Sequence, residues 1–119
     1  MKAKYISNDS KEIIRENWGT LQWLVEGKDG SSEFMTVGRV TFNPGMSNPY
    51  HSHPNCEEIL YVITGEIEHT IDEEQKVKMS AGDAIVIPQG QRHCAKNIGD
   101  SEAVVLVTFN NSDRQTVGE

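Results

Sequence analysis

The sequence predicts an all-β domain of the jelly-roll or barrel type, and three observations carry that expectation. No long stretch places apolar residues at helical spacing. Short runs rich in Val, Ile, Thr and Phe recur instead, separated by clusters of Gly, Pro, Asn and Asp. These runs follow one another at close, regular intervals, with no helical pattern between them, which favours a closed antiparallel arrangement over a parallel sheet.

Taken in order, strands are expected at 21–25, 34–42, 57–64, 66–71, 75–79, 84–87, 93–97 and 103–109. Turn chemistry stands between them at Gly27-Lys28-Asp29-Gly30, Asn43-Pro44-Gly45, Asp72-Glu73-Glu74, Ala81-Gly82-Asp83 and Pro88-Gln89-Gly90. Residues 1–20 read as an N-terminal arm placed against a second subunit, with 10–17 either one amphipathic turn of helix or an edge strand. Residues 21–110 form the barrel domain. The polar tail at 111–119 lacks periodicity and is expected to fray.

At 119 residues the chain suffices for one domain and one core. With 36% hydrophobic and 24% charged residues it has the composition of a globular protein. A net charge of −7, with no cluster of Lys and Arg, disfavours nucleic acid and anionic membrane surfaces as partners. No apolar run approaches the roughly 18 residues of a membrane span. The segment Met1-Lys2-Ala3-Lys4-Tyr5 is followed by no apolar stretch, so a cytoplasmic location is the expectation. Two cysteines, Cys56 and Cys94, do not make a disulfide scaffold, and both are expected reduced.

Three histidines and one acid stand in a pattern that chemistry can use. In His51-Ser52-His53 the two imidazoles are two residues apart, and an extended chain points them to one side. Glu58 arrives on the next strand, and His93 follows the Pro88-Gln89-Gly90 turn, so only a closed β fold gathers all four. Neutral imidazoles and one carboxylate suit a divalent ion such as iron, manganese, nickel, cobalt or zinc, and they leave coordination positions open. Glu57 and Glu58 point to opposite faces, and the spacing selects Glu58.

The pattern resembles the cupin superfamily. Its first motif, a glycine, five residues, His-x-His, four residues, a glutamate, six residues and a glycine, reads as Gly45, His51, His53, Glu58 and Gly65. Its second motif reads as Gly82, Pro88, Gly90, His93 and Asn97. The resemblance implies a small single-domain cupin, a double-stranded β-helix or jelly-roll barrel, with His51, His53, Glu58 and His93 around one metal ion. It also implies a homodimer. An enzyme acting on a small oxygen-bearing metabolite is the leading expectation, of dioxygenase, isomerase, decarboxylase or lyase type. The alternative is a non-catalytic module that binds or senses a sugar or organic acid through the metal.

Other residues are weighed by position. His69 shares a strand face with Ile67 and Ile71, which favours a core histidine hydrogen-bonded to a neighbour; facing the cavity instead, it would be the spare acid or base. Cys56 shares parity with Glu58 and is expected as a small buried residue. Trp18, Trp23, Phe42, Tyr61 and Phe109 are assigned to core or subunit interface. Arg39 is a surface charge that could reach an anionic substrate, and the Gln91 side chain is placed to hydrogen-bond a ligand histidine.

Overall fold

The computed structural model describes residues 2–118, and among them the chain is antiparallel β-structure with a single 3-10 turn at Asn8–Ser10. The strands are β1 (Ile13–Glu16), β2 (Gly19–Val25), β3 (Thr36–Phe42), β4 (His51–Ser52), β5 (Glu58–Thr64), β6 (Glu66–Ile71), β7 (Gln75–Ser80), β8 (Ala84–Ile87), β9 (His93–Asn97), β10 (Ala103–Phe109) and β11 (Val117–Gly118). They form a six-stranded sheet in the order β1-β2-β3-β10-β5-β8 and a five-stranded sheet in the order β11-β4-β9-β6-β7. No helix among the described residues is long and apolar enough to cross a membrane.

Alternation builds the barrel. In β10, Ala103, Val105, Val107 and Phe109 are buried while the residues between them are half-buried. In β5, Glu58, Leu60 and Val62 turn inward, and Ile59, Tyr61 and Ile63 turn to solvent. Leu60, Val62, Val105, Val107 and Phe42 thus fill one core from the inward face of the β5–β10–β3 ladder. Glu58 and His69 lie on these inward rows, so strand parity alone delivers polar side chains to an apolar interior.

Two turn glycines show why the register holds. Gly65 has φ 88° between β5 and β6, and a Cβ there would meet the Ala103 Cα at 2.8 Å. Gly90 has φ 81°, and its N–H donates to the His53 carbonyl at 2.9 Å, which ties the approach to β9 to the first histidine pair.

Three expectations change at the ends of the barrel. Segment 10–17 supplies an edge strand, β1, paired with β2, and β2 begins at Gly19 with Trp18 already in the core. The helical option for this segment therefore falls. The strand expected at 34–42 begins at Thr36, leaving Phe34 and Met35 exposed. The tail expected to fray folds back instead: Val117 pairs with Ser52, Gly118 with His51, and the Ser112 carbonyl accepts from Gly27 N–H at 2.9 Å. Side-chain hydrogen bonds from Asn55 and Asn111 capture this segment, and a polar composition cannot reveal them in advance. The parts of the arm and tail expectations that fall on Met1 and Glu119 lie outside the described residues.

Candidate metal centre

His51 and Ser52 form β4, squeezed between β9 and β11, and His51 sits directly opposite His93. His53 follows as the chain leaves the strand, and Glu58 opens β5. The imidazole rings of His51 and His93 are 4.3 Å apart, those of His51 and His53 4.9 Å, and those of His53 and His93 5.4 Å. One ligand atom from each of His51, His53, Glu58 and His93 can be chosen so that all lie within 4.8 Å of one another.

Backbone carbonyls set the orientation of each ring. The Nδ1 atom of His51 faces the Pro49 carbonyl at 2.7 Å, that of His53 the Gln115 carbonyl at 3.0 Å, and that of His93 the Gln91 carbonyl at 2.9 Å. A carbonyl only accepts, so each Nδ1 carries a proton, and in the neutral imidazole that a metal requires each Nε2 then offers its lone pair. His93 Nε2 lies 3.0 Å and His53 Nε2 3.3 Å from Glu58 Oε1. His53 Nε2 is buried with no hydrogen-bond partner among the described residues. Ligands about 2.1 Å from one ion and at right angles are about 3 Å apart, so these separations, with an orphaned buried nitrogen, fit a divalent metal.

Electrostatics agree. Burial penalises the Glu58 carboxylate, but the adjacent His53 and His93 imidazoles outweigh that and hold its pKa below the ordinary value, so it is ionised. Burial, with His93 nearby, lowers His51 to about 4 and keeps it neutral, as a ligand imidazole must be. Burial also opposes protonation of His93, and the hydrogen bond and charge of Glu58 override it and raise its pKa.

Around this cluster lies a cavity of about 390 Å³, walled by Trp18, Trp23, Phe42, Leu60, Val107 and Phe109. The four aromatic residues among these were assigned to core or interface, and they serve as core and cavity wall together. Tyr61 is instead exposed on the outer face.

His69 is buried, as the core reading has it, and also reaches the cavity, but its Nδ1 has no hydrogen-bond partner among the described residues. Its ring is 6.0 Å from that of His93, and burial lowers its pKa to about 4. The register explains this, because His69 pairs with Ala95 on β9, one inward position along from His93.

Other expectations resolve by direction. Arg39 lies outside the cavity, with its Nη1 donating to Asn8 Oδ1 at 2.7 Å and Gln22 Oε1 at 3.0 Å. Gln91 supports His93 through its carbonyl, while its side-chain amide donates to Asp72 at 3.0 Å. Glu57 is exposed. Cys56 is buried, Cys94 half-buried, and both are free thiols; burial pushes the Cys56 thiol up. Residues missed entirely come from the folded-back tail: Arg114, Thr116 and Gly118 line the cavity, and Gln115 supports His53.

Comparison with known proteins places the chain. The family model of the cupin domain matches residues 38–109, more than half of the sequence. The chain belongs to the cupin family. Among curated relatives, this cupin is 37% identical over 86 residues to oxalate oxidase 1 of Hordeum vulgare, covering 66% of this chain and 43% of that protein. It is 35% identical over 80 residues to germin-like protein 5-1 of Oryza sativa subsp. japonica, covering 64% and 36%. Among solved structures, the S161A mutant of Bacillus subtilis oxalate decarboxylase superposes with a TM-score of 0.83 at 27% identity, covering 92% of this chain and 30% of that one. The chain thus spans well under half the length of these relatives.

Proposed function

We propose that this cupin holds one divalent ion, manganese foremost, with His51, His53, Glu58 and His93, and acts as an enzyme on a small organic acid. The observation that carries the proposal is the set of three histidines whose Nδ1 protons are committed to carbonyls, leaving every Nε2 and one carboxylate converging on one point. Manganese is favoured because a similar solved structure, of Bacillus subtilis oxalate decarboxylase, is described by its Mn(II) centres. Oxalate is the substrate named for the similar oxidase and decarboxylase, which makes a carboxylic acid the leading class.

An ion bound there supplies a Lewis acid with open positions, able to polarise a carboxylate oxygen. The chain's own residues do the rest. Glu58 contributes the single formal negative charge of the cage. The apolar wall excludes water and strengthens every electrostatic contact inside. His69, neutral at neutral pH and open to the cavity, is positioned to take up or return a proton. Purified protein reconstituted with Mn(II) should turn over oxalate, read as carbon dioxide, formate or peroxide. Stoichiometric metal without turnover of oxalate or related acids would favour the non-catalytic binding module.

We also infer a homodimer. Ile59, Tyr61, Ile63 and Val86 form an exposed apolar stripe on the outer faces of β5 and β8, which supports a covered surface there. Sedimentation equilibrium at twice the chain mass is the expected result, and a monomer at micromolar concentration contradicts it.

A further inference from the structure

Among the described residues that line the metal cavity, two side chains carry a fixed charge: Glu58 and Arg114. Arg114 belongs to the folded-back segment, held over the barrel mouth by Asn55, whose side-chain amide donates to the Asp113 carbonyl at 2.8 Å and whose Oδ1 accepts from Gln115 N–H at 3.0 Å. Its guanidinium lies 4.2 Å from the centre of the Trp23 ring and 5.3 Å from that of Phe109. The Phe109 ring in turn lies 4.8 Å from the ring of His53. One guanidinium nitrogen donates to Thr116 Oγ1, which sits 3.3 Å from His53 Nδ1. Arg114 is therefore one side chain removed from the cage.

No carboxylate among the described residues pairs with it within 4.0 Å, although Glu26 and Asp113 border the neighbouring groove. Stacking on Trp23 fixes the guanidinium plane and leaves its edge donors available. Charge then selects the ligand. A divalent ion on Glu58 and three neutral imidazoles leaves a cage of net charge plus one, and Arg114 raises the cavity to plus two. In an apolar cavity such an excess is costly until an anion of matching charge enters.

We propose that Arg114 is a substrate-recognition residue that receives the second carboxylate of a small dicarboxylate bound at the metal. The inference rests on the metal-dependent reading above and narrows its substrate class from organic acids to dianions. A planar fork of donors pairs with a carboxylate in two parallel hydrogen bonds, and a point charge does not.

The test is calorimetric titration of the Mn(II)-loaded full chain with oxalate and malonate, and with acetate as the monoanion, for wild type, Arg114→Gln and Arg114→Lys. Manganese content is measured first. Wild type is expected to bind at least one dianion about tenfold or more tightly than acetate. Arg114→Gln should keep stoichiometric manganese, lose about tenfold or more in dianion affinity and change acetate affinity less than twofold. Arg114→Lys should recover part of the lost discrimination. Equal losses for dianion and monoanion would show a structural staple and overturn the proposal. A lysine variant no better than glutamine, or a wild type that binds manganese without preferring dianions, would also overturn it while leaving the metal reading intact. A wild type that binds no metal removes both.

Discussion

The barrel walls and the folded-back segment at 111–118 meet at the same cavity, yet they were encoded in different ways. His51, Glu58 and His93 stand on strands and His53 directly follows one, and the alternation and turns there are visible as spacing, so their convergence follows from the chain's local period. Arg114, Gln115, Thr116 and Gly118 reach the site through contacts spanning some sixty residues of sequence, made by Asn55, His53 and His51. Strand parity positions ligands, whereas the segment supports the cage through a backbone carbonyl and a close approach, which leave no residue signature, and adds the Arg114 and Thr116 side chains to the lining.

That contrast can be broken most directly at the cage. Glu58→Gln keeps the shape of the side chain and removes the only acid among the described residues that line the cavity, so stoichiometric manganese binding should be lost, read by metal analysis after desalting. Retained full occupancy would detach the carboxylate from the site.

The segment should matter one step less. A Cβ on Gly118 would lie 2.6 Å from the His51 Cβ and 2.6 Å from the Tyr50 carbonyl oxygen. Gly118→Val should therefore push β11 off β4 and weaken metal affinity about 10–100-fold, the range seen when support of a ligand is lost. Unchanged affinity would show that the segment merely covers the cage.

Legibility follows the same division. The strands at 66–71, 84–87, 93–97 and 103–109 appear with the expected bounds because alternation and turn chemistry agree there. His69 was ambiguous because parity turns a residue inward but does not distinguish core from cavity. Arg39 was weighed as the candidate cation because it precedes the first motif, yet parity points it outward, and the cavity takes its arginine from a segment read as a fraying tail.

Acid should expose the cost of burying neutral histidines. His51 and His69 titrate near 4 in the fold, below their ordinary value of 6.5, so the unfolded chain takes up protons first as pH falls. Their contribution to stability is present above 6.5 and is lost progressively down to about 4. His93, raised, works in the opposite sense and offsets part of that loss. The urea midpoint of metal-free protein should thus be lower at pH 4.5 than at pH 7; an equal or higher midpoint would refute this accounting.

Asn55→Ala removes both side-chain bonds that clip the segment and should cost about 1–2 kcal/mol, measured by urea denaturation, with dianion affinity falling alongside. Loss of stability with dianion affinity intact would separate the clip from the site. Arg39→Ala is the smallest expected effect, with manganese and malonate affinities within twofold of wild type by calorimetry. A tenfold loss there would return recognition to the arginine that spacing first offered.

On the proposed reading, three imidazole lone pairs and one carboxylate hold a single ion. Manganese(II) titration followed by the electron paramagnetic resonance signal of the free aqueous ion tests it directly, comparing wild type with His93→Ala. Wild type is expected to silence one equivalent per chain and the variant none; equal silencing by both, or none by either, would show that the four residues do not form the cage.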